Sequence, residues 1–217
     1  MTWLTTKVSG EDIDLSHDAA LYWRDRQTLV IADAHFGKAA AFRRSGVFVP
    51  EETTEAALQR LTRLLEQTGA RRIVFIGDFL HAKEGRHPDT LKTIERWRER
   101  HASVEMVLVR GNHDRRAGDP PREFRMTCVE APLLEAPFAL AHHPVEVEGH
   151  YVLAGHIHPA VKLSGAGRQH ARLPCFWFGK RVGVLPAFGE FTGVAIVEPE
   201  PEDRVFCIAG DDVIPVR

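Results

Sequence analysis

Three short apolar runs, each leading into oxygen- and imidazole-bearing side chains, constrain the fold of this chain most. Thr28 to Ala32 (TLVIA) runs into Asp33-Ala34-His35. Arg72 to Ile76 (RIVFI) runs into Gly77-Asp78, and Glu105 to Val109 (EMVLV) leads to Gly111-Asn112-His113-Asp114. Runs of this length and composition suit buried strands. Helical patterns lie between them. Leu58, Leu61, Leu64 and Leu65 recur at helix spacing, with Pro50 near the start and Gly69 just past the end. Leu91, Ile94 and Trp97 make a second stripe that opens after Pro88. The first half therefore reads β–α–β–α–β.

The second half changes character. Phe138 to Ala141, Tyr151 to Ala154, Gly183 to Leu185, Val194 to Val197 and Val205 to Ala209 are short runs separated by Gly, Pro and Asp. They predict strands with few helices. Two sheets packed together, with helices outside, accommodate both halves. The acidic piece Glu198 to Asp203 reads as a hairpin connection. With no repeat, low-complexity tract or long linker, the 217 residues read as a single α/β domain, 1–217.

Two of the second-half runs also end in candidate ligands. Phe138 to Ala141 ends in His142-His143, and Tyr151 to Ala154 in Gly155-His156-Ile157-His158. In α/β sheets, ligands gather outside the carboxyl ends of strands, so five strand ends would face one crevice. Carboxylate, amide oxygen and imidazole suit Mn, Fe, Zn or Ni better than a thiolate-preferring metal. Two such ions about 3.5–4 Å apart can clamp the attacking and leaving oxygens of a phosphoryl displacement. In an extended segment residues i and i+2 point the same way, so Asp33 with His35, and His156 with His158, can each aim two ligands at one site. Gly77, Gly111 and Gly155 precede ligands where the backbone must turn or approach closely. His142 and His143 are adjacent and would point to opposite sides of an extended chain.

The order DxH, GD, GNHD, His, GHxH resembles the calcineurin-like metallophosphoesterase superfamily. The resemblance implies a four-layer α/β/β/α sandwich of two mixed β-sheets flanked by helices, with a binuclear metal centre. Carried onto this chain, Asp33, His35 and His158 would hold one metal. Asn112, His142 and His156 would hold the other, and Asp78 would bridge them. The HHP sequence favours His142 over His143. His113 would contact the phosphate and protonate the leaving oxygen, and Asp114 would orient His113 through a hydrogen bond. Where many relatives carry an acidic residue, this chain has His81, a further phosphate donor.

Longer stretches, DAHFGKAAAFRRSG, GDFLHAKEGR, VRGNHDRRAGDPP and LPCFWFGKRVGVLPAFGEFTG, resemble the bacterial DNA ligase-associated metallophosphoesterases. That family implies a manganese-dependent endonuclease on single-stranded DNA. It also implies a functional association with a ligase, a helicase and an exonuclease in DNA repair. A hydroxide bridging two divalent ions would then attack phosphorus in line. Lys38, Arg43 and Arg115 are candidates for holding flanking phosphates. Phe36, Phe42 and Phe79 could stack on bases or pack in the core. A small phosphodiester or nucleotide pyrophosphate is the alternative substrate, and a non-catalytic scaffold the alternative role.

The net charge of −2 means that any nucleic-acid binding must rest on local patches of Lys and Arg. Cys128, Cys175 and Cys207 are odd in number and form no CxxC, which predicts a reducing compartment. Met1 to Gly10 lacks a basic start followed by an apolar run, and no stretch reaches the roughly 20 apolar residues of a membrane span. A cytoplasmic location is expected.

Overall fold

The structure is a computed structural model, and it describes residues 3–38, 53–81, 83–164 and 170–216. Seven strands form the first sheet in chain order: β1 (Leu4–Val8), β2 (Glu11–Ser16), β3 (Ala20–Trp23), β4 (Thr28–Ile31), β5 (Arg72–Ile76), β6 (Glu105–Val109) and β7 (Thr127–Val129). β1 to β4 are an antiparallel meander, and β4 to β7 run parallel. Helix α1 (Thr53–Thr68) lies between β4 and β5 in the chain, and α2 (Pro88–Arg100) between β5 and β6. A short helix, α3 (Asn112–Ala117), opens just after β6. The predicted β–α–β–α–β order is thus present.

The second sheet has nine strands. They are β8 (Leu133–Glu135), β9 (Phe138–Leu140), β10 (Tyr151–Ala154), β11 (Pro159–Ser164), β12 (His170–Phe178), β13 (Val182–Val184), β14 (Ala195–Ile196), β15 (Arg204–Ala209) and β16 (Asp212–Pro215). β9, β10 and β13 are parallel neighbours. β12 is antiparallel to β11, β13 and β15, so the sheet is mixed. Residues 198–203 join β14, which pairs with β11, to β15, which pairs with β12 and β16. They are a crossover, not the hairpin connection expected from their composition.

The sandwich follows from side-chain alternation along the strands. Leu29 and Ile31, Ile73 and Phe75, Met106 and Leu108 face Leu58, Leu61, Leu64, Ile94 and Trp97 of the helices. The intervening Val30, Val74, Ile76, Val107 and Val109 face Phe138, Leu140, Leu153, Phe176 and Phe178 of the second sheet. The central strands are therefore buried on both sides, and this is why they read as unbroken apolar runs. The two mixed sheets with flanking helices are those of an α/β sandwich. All three α-helices among the described residues precede β7, so that half of the molecule carries the helical layer. No helix among the described residues is long and apolar enough to cross a membrane.

Candidate metal centre

The residues that follow β4, β5, β6, β9 and β10 converge. Past its last paired residues, β4 does not simply continue. Asp33 and His35 adopt left-handed backbone angles (φ +51° and +46°), as does Asp78 after β5 (φ +49°). Parallel pairing then resumes as a bridge between Phe36 and Leu80. His156 and His158 are left-handed too (φ +70° and +53°). The two-residue spacing thus delivers paired candidate ligands, but through kinked backbone rather than the extended strand that the sequence suggests. Non-glycine residues in this region cost about 1–3 kcal/mol each and gather at functional sites.

Glycines make room for the side chains. A Cβ at Gly77 (φ +89°) would stand 2.1 Å from His142 Nδ1. One at Gly111 would meet Asp78 Oδ1 at 2.3 Å, and one at Gly155 would meet Asp33 Oδ2 at 2.4 Å. Each glycine before a candidate ligand therefore leaves space for another candidate that arrives from a different strand.

Two groups of donors result. In the first, ligand atoms of Asp33, His35 and His158 lie within 4.8 Å of one another. In the second, His142 Nε2 lies 2.9 Å from Asn112 Oδ1 and 3.1 Å from His156 Nδ1. Asp78 stands between them. Its Oδ2 is 3.9 Å from His35 Nε2, and its Oδ1 is 3.5 Å from His142 Nε2. Ligating histidines are commonly oriented through their other ring nitrogen. Here His142 Nδ1 faces the Ile76 carbonyl at 3.3 Å, and His158 Nδ1 faces the Gly193 carbonyl at 2.9 Å.

A cation fits this cage. Asp33 is fully buried, and its Oδ1 has no hydrogen-bond partner, although His142 Nδ1 and His158 Nε2 stand 3.6 Å and 3.7 Å away. A buried carboxylate oxygen left so is costly unless a cation compensates it. Proton affinities agree at His35, His143 and His156, and His158 is the exception. Burial pushes the His35 imidazole down to about 2, aided by Lys38 and neighbouring imidazoles. Burial likewise lowers His156 and His143. At His158 burial opposes the charge, but the Asp33 carboxylate and the Gly193 carbonyl outweigh it and raise the pKa. Neutral imidazole beside carboxylate is the form that metal binding requires.

The other expected residues divide. His113 belongs to the site: its N–H donates to Asp78 Oδ1 at 3.0 Å, and its Nε2 lies 3.9 Å from Asp78 Oδ2. His81 stacks on the His113 ring with centroids 5.4 Å apart, and each ring meets His35 edge-on at 5.4 Å. The expected hydrogen bond from Asp114 to the His113 ring is absent. Asp114 instead accepts the N–H groups of Phe79 and Gly111 at 3.0 Å and 2.9 Å, while His113 Nδ1 has no hydrogen-bond partner. Consecutive helical residues do not face each other, so Asp114 ties the two loop ends together. Burial raises its pKa.

His142 is fully buried within the second group, whereas His143 is exposed. Even so, the His143 ring lies 4.2 Å from that of His156 and offers a third imidazole there. Lys38 lies beside the centre. Burial lowers its pKa, and Asp33 and Asp78 work against that shift. Arg115 is exposed and donates to Glu130 at 2.8 Å. Arg43 and Phe42 fall outside the described residues. Phe36 and Phe79 are buried in contact with each other, so neither can stack on a base.

Sequence reasoning missed the strap Phe188–Gly193. Its Phe188 and Gly189 N–H groups donate to Ala32 and Asp33 carbonyls at 2.8 Å and 3.0 Å, and Gly193 supplies the carbonyl behind His158. A backbone carbonyl has no signature in side-chain identity. Phe188–Gly193 enters the sequence reading only within the longer stretch that resembles the family, with no role at the site.

The family described as calcineurin-like phosphoesterase matches residues 27–158. The crystal structure of Pseudomonas putida nuclease MPE is similar, with a TM-score of 0.87 and 42% identity. That match covers 99% of this chain and 100% of the other. The E. coli phosphoesterase Yfce aligns with a TM-score of 0.42 and 15% identity, over 86% of this chain and 96% of that one. The search of curated proteins gave no match.

Proposed function

Since the chain belongs to the calcineurin-like phosphoesterase family, and is thus a metal-dependent hydrolase of phosphoester bonds, we propose that it is a nuclease cleaving phosphodiester bonds in single-stranded DNA. One observation carries this reading: 42% identity over 99% of the chain to the Pseudomonas putida nuclease. The two donor groups that share Asp78 fit such chemistry.

Asp33, His35 and His158 would hold one divalent ion, and Asn112, His142 and His156 the other, with Asp78 between them. Manganese suits this donor set, as do iron, zinc and nickel. When bound, such ions make a water-derived nucleophile available near neutral pH and neutralise charge on phosphoryl oxygens. The chain's own residues do the rest. His113 Nε2, aimed at the centre beside Asp78 Oδ2, gives its proton to the leaving oxygen. His81, stacked on His113, presents a second imidazole to the phosphoryl group. Lys38, half-buried beside the carboxylates, and Arg115 at the rim hold neighbouring phosphates. DNA repair alongside a ligase, a helicase and an exonuclease is the setting this activity suits. The free cysteines accord with a reducing cytoplasm.

The test compares manganese-supplemented protein on single-stranded DNA, duplex DNA and a panel of small phosphodiesters. Single strands should be cleaved fastest, and the rate should fall steeply as salt rises, because phosphate contacts release counterions. Salt-insensitive turnover confined to small esters would overturn the DNA reading.

A further inference from the structure

The strap that orients His158 also carries an aromatic ring into solvent. Phe191 is 52% exposed, and it is the only aromatic among the exposed large hydrophobic side chains of the described residues. Its φ of +56° lies in the left-handed region, which bulky residues rarely enter. Such strain persists only where the surroundings over-determine it, and it clusters at ligand sites. The surroundings here are firm. Arg60 on α1 donates to the Phe188 carbonyl, lies 4.1 Å over the Phe188 ring and pairs with Glu190 at 3.5 Å. Thr192 Oγ1 donates back to the Gly189 carbonyl at 3.2 Å. Gly189 packs so closely on the ligand loop that a Cβ there would stand 2.5 Å from the Ala34 carbonyl oxygen. Phe191 therefore cannot fold inward without dragging the backbone around Asp33. It lines one small crevice together with His35, a metal-ligand candidate, and Lys38, a cation suited to phosphate.

We infer that Phe191 is a stacking platform that seats an unpaired nucleobase next to the scissile phosphodiester. A base freed from a duplex offers an open π-face to an aromatic side chain, and such stacking is sequence-tolerant. In a duplex that face is already covered by the neighbouring pair. Phe191 would thus select single strands, while the metal centre would act on any phosphodiester that reaches it. This role rests on the nucleic-acid reading above and gives it a specificity determinant.

The test uses full-length manganese-loaded protein and two substrates of equal length: oligothymidylate and a fully abasic phosphodiester strand. The unaltered chain should favour the base-bearing strand in kcat/KM by about tenfold or more, the range measured for one stacked base. Phe191→Ala should lose most of that preference, chiefly through KM, and Phe191→Trp should keep it. If Phe191→Ala keeps the preference, or slows both strands equally, the stacking role is wrong while the nuclease reading stands. If the unaltered chain hydrolyses bis(p-nitrophenyl) phosphate but neither strand, the nucleic-acid reading itself fails.

Discussion

His113 and His81 lie face to face, and His113 has two tethers to the protein itself. Its backbone N–H is fixed to Asp78, and its ring is held by stacking on His81. Removal of the ring should therefore leave the donor groups in place. For His113→Ala, kcat should fall by about 100-fold or more, the usual worth of a positioned proton donor, with bound metal unchanged by elemental analysis. Metal loss comparable to that of a ligand variant would make His113 a ligand instead. At this scale the sequence was legible where chemistry followed from residue type. Asp33, His35, Asp78, Asn112, His156 and His158, named from the motifs, lie close together in the structure, and their role as ligands is the proposal. It was not legible where chemistry followed from direction. Asp114 is next to His113 in the chain, yet its carboxylate faces Gly111 and Phe79. The carbonyl behind His158 comes from Gly193, 35 residues away.

The elements explain which parts of the fold announced themselves. β4, β5 and β6 are covered on both faces, so composition alone marks them. The meander β1–β3 was silent because half of its residues meet solvent or pair as ions. Asp14, in mid-strand, accepts two guanidinium hydrogen bonds from Arg24 at 2.6 Å and 2.7 Å and one from Thr5 at 2.7 Å. β12 was silent for another reason. Pro174 interrupts it one residue before pairing with β15 begins at Cys175, and a proline inside a run argues against a strand. At Gly77, alanine would meet both a backbone angle that costs about 1 kcal/mol and the His142 ring. Gly77→Ala should lower the thermal midpoint by several degrees and reduce bound metal at the group that contains His142. Full metal occupancy in that variant would show that His142 is not held as described.

The two sheets pack through an apolar interface, and each also contributes candidate ligands to a shared centre at their common edge. The first sheet supplies Asp33, His35, Asp78 and Asn112, and the second His142, His156 and His158. Cations held there would cross-link the sandwich, so metal occupancy should register in global stability and not in the site alone. Ligand that binds only the folded chain stabilises it by about 2.7 kcal/mol at 100 times its dissociation constant. In a chain of this size each kcal/mol moves the midpoint by about 2–4 °C. Chelated protein should thus melt about 5–10 °C below manganese-saturated protein in a thermal scan. Asp78→Ala, which removes the carboxylate facing both groups, should erase most of that increment whatever its own baseline stability. Equal midpoints with chelator and with manganese would mean that no cation spans the sheets. An increment that survives Asp78→Ala would move the shared ligand from Asp78 to Asp33, the other buried carboxylate within reach of His142.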